Sequence, residues 1–174
     1  LISYPLGSDI VLTKFNANGS ALLGSTFVGG AKNDGLNFST VLLYNYGDQF
    51  RGEVIVDGSD RIYVSTVTAS LDFPVAVGAP QPMYGGGQTD GLVFRMNSNL
   101  TAIDWSTFLG GGDADAAYSV QLDNSGDLFI SGGTESDDFP VQTPALLTQR
   151  QGLVDGYIVK LDGNGSGILA STFI

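Results

Sequence analysis

The residues with the clearest capacity for chemistry are aspartates and small polar residues in two glycine-rich turns. Oxygen-bearing side chains stand at alternate positions in 123–127 and again in 162–167. Calcium loops use such spacing because this hard cation takes about six to eight oxygen ligands, often from one tight bend. The candidate ligands are Asp123, Ser125, Asp127, Asp162, Asn164 and Ser166. The same residue types also form plain hairpin turns, so both interpretations stay open.

Related turns elsewhere in the chain favour the plain-turn interpretation. The segments 16–18 and 97–99 hold matching positions but lack a carboxylate. Arg61 stands where the turn at 123–127 has Asp127.

Asp113 and Asp115 form a different carboxylate pair, in the glycine-rich segment 110–115. Paired carboxylates can bind calcium or transfer protons. Our alignment of the internal copies places Gln49 opposite Asp115, which argues against a repeated catalytic pair. We therefore treat Asp113 and Asp115 as candidate Ca²⁺ ligands and predict no catalytic residue.

The sequence contains neither histidine nor cysteine. This excludes a serine–histidine triad, imidazole- or thiolate-bound zinc and disulfide bonds within the chain. Two carboxylates alone can cleave a glycosidic bond, so a glycan lyase or hydrolase stays as a third hypothesis.

Two aromatic side chains are candidates for sugar stacking. Tyr84 adjoins the three glycines at 85–87, and Trp105 lies in a predicted strand. The strand position of Trp105 favours a place in the core. These residues support the alternative hypothesis of a carbohydrate-binding module.

Three aspartates, Asp9, Asp90 and Asp155, recur at the start of matching strands, where we expect them to accept hydrogen bonds from nearby backbone amides. Asp72 and the pair Asp137–Asp138 precede Phe-Pro in the two copies. We expect these aspartates to cap turns while the phenylalanine packs beneath a long loop.

The formal net charge is −11, with only seven basic residues. A phosphate backbone and an anionic membrane surface would both be repelled, so we expect neither as a partner. No apolar run reaches the length of a membrane-spanning helix. Apolar residues make up 43% of the chain, which is typical of a folded domain and not of a disordered one.

An internal repeat defines the elements that must position these residues. The segment 89–109 returns as 154–174 and matches 8–28, while 54–74 returns as 120–140. A period of about 66 residues indicates a propeller, a solenoid or an array built from one supersecondary unit.

Short apolar runs between Gly- and Asp-rich turns predict an all-β fold of stacked four-stranded antiparallel blades of β-propeller type. We interpret 1–174 as a single repeat domain. It holds about two and a half repeats: a half blade at 9–28, an insertion at 31–50, and blades at 53–109 and 117–174.

The half blade lacks two strands on this interpretation. The segments 38–46 and 1–4 have strand composition and are predicted to complete its sheet. Otherwise the sheet keeps an open edge that recruits a strand from another chain.

Four motifs resemble the bacterial β-propeller repeat family of secreted surface proteins, abbreviated SBBP for seven-bladed β-propeller. The matching segments are 155–161, 106–111, 120–131 and 138–140. The chain departs from the family in its insertion and in its copy number. The resemblance implies an extracellular or cell-surface scaffold without catalysis, and no agreed ligand.

The sequence thus predicts a non-catalytic extracellular structural protein, a segment or subunit of a surface fibre or adhesin, with Ca²⁺ as the candidate stabilising ion. The expected partners are copies of itself or neighbouring repeats, bound through open sheet edges. Carbohydrate is the alternative partner.

Overall fold

The computed structural model describes residues 7–43 and 48–174. In these ranges the chain forms short antiparallel strands and one three-residue 3₁₀ turn, Asp48–Phe50. The strands are β1 (Ile10–Phe15), β2 (Leu22–Val28), β3 (Glu53–Val56), β4 (Ile62–Thr68), β5 (Asp90–Met96), β6 (Ile103–Leu109), β7 (Asp115–Leu122), β8 (Leu128–Thr134), β9 (Asp155–Leu161) and β10 (Ile168–Phe173).

The strands form three antiparallel sheets that follow the chain order. β1 and β2 make the N-terminal hairpin, β3 to β6 make the first sheet, and β7 to β10 make the second sheet. Each predicted unit therefore contributes one sheet, and the prediction of an all-β fold is confirmed. Tight turns close the hairpins, and longer segments at 69–89 and 135–154 connect the two central strands of each four-stranded sheet.

The core lies between the sheets. Successive side chains of a strand point to opposite faces of its sheet. Apolar residues occupy both faces of the first sheet. One face of the first sheet, including Tyr63, Val93 and Trp105, packs against Val120, Ile130 and other residues of the second sheet.

The opposite face of the first sheet, which includes Val64, Leu92 and Phe108, packs against Ile10, Leu12 and Val28 of the N-terminal hairpin. Every residue of β4 is buried because both of its faces are covered.

The described part of the insertion does not form the predicted strand. Residues 38–43 lie in turns and irregular structure, so the strand prediction for 38–46 is wrong over these residues. Residues 44–46, and the predicted strand at 1–4, fall outside the described ranges. Leu42 instead packs against Val67 and Ala116, so apolar side chains that suggested a strand are used to cover the core.

The structure also corrects the alignment at the insertion. Asp34 pairs with Thr68 through a single β-bridge, just as Asp115 pairs with Thr134 in the second sheet. Asp34 is therefore the counterpart of Asp115, and the assignment of Gln49 to that position is wrong. The extra residues therefore begin after Asp34 and not at residue 31 as predicted. They separate Asp34 from β3, so the first strand of this sheet is interrupted.

Candidate functional site

The turn at 123–127 has its carboxylates already engaged. Asp123 Oδ1 accepts the amide hydrogens of Ser125 and Asp127, at 2.8 and 3.0 Å. The Lys160 ammonium lies 2.9 Å from Asp123 and 3.0 Å from Asp127. This hydrogen bond from Lys160 holds the pKa of Asp123 below its ordinary value. The arrangement is a turn closed by an ion pair, and Ser125 is exposed.

The turn at 162–167 caps an aromatic ring. Asp162 Oδ1 accepts the Asn164 amide hydrogen at 2.7 Å, while Asn164 and Ser166 are exposed. Gly165 has φ +68° and its backbone lies on the Trp105 ring, so a side chain there would overlap the indole. Arg95 donates to the Gly163 carbonyl at 3.0 Å, which ties this turn to the first sheet.

The two candidate calcium ligands of the segment 110–115 lie in different environments. Asp113 is exposed and Asp115 is fully buried, although only one residue separates them. Within residues 7–43 and 48–174, no three acidic residues form a group arranged to hold a metal ion.

Asp115 belongs instead to a polar network at the junction of the two sheets. Its Oδ2 accepts the Gly111 amide hydrogen at 2.7 Å and the Ser136 hydroxyl at 2.8 Å. Asp138, from the connection between β8 and β9, accepts the Gly112 amide hydrogen at 2.8 Å. The loop that leaves the first sheet is therefore held by side chains of the second sheet.

The junction between the N-terminal hairpin and the first sheet repeats this network. Asp34 accepts hydrogen bonds from the Gly30 amide at 2.7 Å, the Ser70 hydroxyl at 2.8 Å and the Thr68 hydroxyl at 2.5 Å. Asp72 accepts the Ala31 amide hydrogen at 2.9 Å. One set of side chains thus joins consecutive sheets at both places in the described ranges where they meet.

A second buried carboxylate faces Asp115 at the junction of the four-stranded sheets. Asp90 Oδ2 accepts the Gly85 amide hydrogen at 2.6 Å, as predicted for an aspartate at the start of this strand. Asp155, at the matching position, accepts the Gln151 and Gly152 amide hydrogens. A Cβ on Gly110 would lie 2.6 Å from Asp115 Oδ2 and 3.0 Å from Asp90 Oδ1, so both carboxylates crowd this glycine.

Burial raises the pKa values of both carboxyl groups. Desolvation is the main cause, and each is also raised by a neighbouring carboxylate. The pKa of Asp90 rises to about 7 and that of Asp115 to about 6. Asp90 Oδ1 and Asp115 Oδ1 have no hydrogen-bond partner of good geometry, although the Thr134 hydroxyl is close enough to lower the pKa of Asp115. The pair is suited to holding a proton inside the junction.

The two aromatic candidates for sugar stacking differ in environment. Trp105 is 4% exposed and meets Tyr63 edge to face within the core. Its ring is therefore inaccessible to a sugar. Tyr84 is half-buried and packs edge-on against Phe108.

The outer face of the second sheet carries exposed apolar side chains whose counterparts are buried. The exposed residues Phe129, Ile158 and Ile174 correspond to Tyr63, Val93 and Leu109 of the first sheet. Ile174 is 56% exposed, whereas Leu109 is fully buried beneath the second sheet. We name Phe129, Leu146, Ile158, Ala170 and Ile174 the C-terminal face; Leu146 lies beside Phe129 and Ile158.

The outer face of the N-terminal hairpin, at the other end of the stack of sheets, shows the same contrast between exposed residues and buried counterparts. Phe27 is 74% exposed, whereas its counterpart Phe108 is 1% exposed beneath the hairpin. The exposed residues of this surface, named the N-terminal face, are Val11, Thr13, Phe15, Leu22 and Phe27. The sequence predicts open sheet edges rather than these two faces. The repeat nevertheless carries the signal for the faces, because apolar residues persist at positions that a further sheet would cover.

No family model matches the chain, and no curated protein matches it. Among the described residues, no helix has the length and apolar character needed to cross a bilayer.

Proposed function

We propose that this chain is a non-catalytic structural module of β-propeller type, which binds further repeats by continuing the stack of sheets at both ends. The C-terminal face of one unit would pack on the N-terminal face of the next. The resemblance to secreted propeller repeats supports a place outside the cell or on its surface, in a fibre, an adhesin or a larger propeller.

The observation that carries this proposal is the matched burial of repeated positions. The same apolar positions are covered where the sheets meet inside the chain and open on its two outer faces. Burying apolar area contributes about 25 cal/mol per Å². Each face is therefore suited to the same kind of packing that joins the two sheets.

The polar network supports the same conclusion. Aspartate, serine and backbone amides join sheet to sheet twice with the same geometry. These hydrogen bonds give the buried acids a structural task in joining one sheet to the next. The two faces are different surfaces of the chain, so pairing one with the other joins units head to tail.

Analytical ultracentrifugation over a concentration series tests the proposal. The wild-type chain is expected to associate as concentration rises, and Ile158→Asp, on the C-terminal face, to shift the association at least tenfold to higher concentration. Val77→Asp is the matched control because Val77 is fully exposed and belongs to the connection between β4 and β5, not to either face.

A wild-type chain that stays monomeric at millimolar concentration would contradict the proposal. So would an Ile158→Asp variant that associates like the wild type. Circular dichroism of each variant checks that the fold is kept.

A further inference from the structure

Within the described residues, β1 of the N-terminal hairpin has one unpaired edge, whereas the matching strands β5 and β9 are paired along both edges. β1 corresponds to β5 and β9, each of which lies between two strands of its sheet. In residues 7–43 and 48–174, β1 pairs with β2 alone. Its other edge is the position that β4 holds beside β5 and that β8 holds beside β9.

The space beside this edge is a groove. A cavity of about 410 Å³ follows the first half of β1, and one of about 480 Å³ follows the second half. Val11 and Val54 line both cavities, so the two form one continuous trough along the strand. We name this feature the β1 trough.

The floor of the β1 trough is apolar and open. Val54 and Val56 are each 56% exposed there. Val120, the counterpart of Val54, is fully buried against the first sheet. The floor thus has the residues of an inter-sheet contact, and no strand within residues 7–43 and 48–174 covers them.

We propose that the β1 trough binds a β-hairpin of the same type as β3–β4, supplied by a further repeat, and adds its second strand antiparallel to the free edge of β1. The inference rests on the proposed function in one respect, namely that the units recognise other repeats. It names the element that completes the two-stranded sheet.

The internal register defines what the added strand must look like. β4 pairs residue by residue with β5, from Thr68 opposite Asp90 to Ile62 opposite Met96. A strand in the same register beside β1 would run opposite Asp9 to Phe15. The residues of the added strand that match Tyr63 and Val67 would then point towards the first sheet and contact Val54 and Val56, because alternate side chains share a face. Main-chain hydrogen bonds would supply affinity, and the trough would select apolar residues at alternate positions.

The test uses a fluorescein-labelled synthetic peptide with the sequence of residues 53–68, added to the intact chain and followed by fluorescence anisotropy. Saturable binding is expected. Val54→Asp in the protein should weaken it at least tenfold, while Val77→Asp and Ile158→Asp leave it unchanged. A peptide with proline at the positions of Val64 and Thr66 should not bind, because proline donates no main-chain hydrogen bond and breaks strand pairing.

Several outcomes would overturn the assignment: no saturable binding at millimolar protein, equal binding of the proline peptide, or full affinity in Val54→Asp. If a second folded copy occupies the trough, Val54→Asp would abolish self-association while the peptide fails to bind, which also overturns it. Because Ile158 lies on the other face, failure of the proposed stacking would appear in ultracentrifugation alone and leave the peptide result distinct.

Discussion

The buried carboxylates at the sheet junction predict that the protein loses stability as pH rises. The pKa of Asp90 in the folded chain is about 7, against an ordinary value of 3.8. The folded state therefore holds a proton that the unfolded state releases, and the free energy of unfolding falls with pH between these values. The loss of stability is complete once the pH exceeds the pKa of Asp90 in the folded chain.

The size of this loss follows from the two pKa values. One pKa unit corresponds to about 1.4 kcal/mol. Between pH 5 and pH 8, Asp90 alone is expected to lower the free energy of unfolding by about 2–3 kcal/mol. Asp115, with a pKa of about 6, adds to the same trend. The chain has no histidine, so few other side chains titrate in this range.

Urea unfolding followed by circular dichroism at pH 5 and pH 8 measures this effect. Asp90→Asn keeps the shape of the side chain without its charge and should remove most of the loss. The exposed Asp137 provides the control, and Asp137→Asn should keep the wild-type dependence. Stability that rises from pH 5 to pH 8, or an Asp90→Asn variant with the wild-type slope, would refute the reasoning.

Three further substitutions test the packing of the junction and the turns by thermal or urea unfolding. Gly110→Ala should destabilise the fold by about 2–4 kcal/mol because the added Cβ would meet two carboxylates. Gly58 has open space around it, so Gly58→Ala should leave stability nearly unchanged. Equal effects of the two substitutions would contradict the geometry. Phe139→Ala should lower the free energy of unfolding by about 3–5 kcal/mol because the buried ring stacks on Tyr157, with 4.2 Å between the ring centroids. A loss under about 1 kcal/mol would show that the ring is not packed there. Lys160→Ala should destabilise the fold much less than Phe139→Ala because its ion pairs are partly exposed, and a loss as large as that of Phe139→Ala would contradict this ranking.

The strands and their grouping could be predicted from the sequence because the repeated segments can be aligned with one another. Matching segments such as 54–74 and 120–140 carry the same apolar runs and turn residues, and each pair forms the same elements. Phe73 and Phe139 are buried as predicted, since an aromatic ring before proline has the same loop to fill in both copies.

The insertion could not be predicted in this way because it occurs once. Its strand-like composition is used for packing: Leu42 is buried against Val67, and the Ser39 hydroxyl donates to Glu135 at 2.8 Å. Local propensity does not reveal such tertiary contacts. The counterpart of Asp115 was misplaced for the same reason, since the insertion separates Asp34 from the rest of its strand.

The roles of several aspartates depended on neighbours that are distant in sequence. The sequence predicts that Asp72 and Asp138 cap their own turns. The structure shows in addition that each accepts an amide hydrogen from the loop that leaves the preceding sheet. In the turn at 123–127, the spacing alone suggested calcium. The ammonium of Lys160, which comes from β9, occupies the space between the two carboxylates.

The most direct test of the central claim is a cross-link between the two outer faces of different molecules. The chain has no cysteine, so Thr13→Cys on the N-terminal face and Ala170→Cys on the C-terminal face each introduce one reactive thiol. The two variants are mixed with a short bifunctional thiol reagent, and the products are resolved by mass spectrometry. Head-to-tail stacking predicts that the mixed Thr13→Cys/Ala170→Cys dimer exceeds both like-with-like dimers and the dimer of Thr13→Cys with Val77→Cys. A mixed dimer no more abundant than the Val77→Cys control would contradict the account.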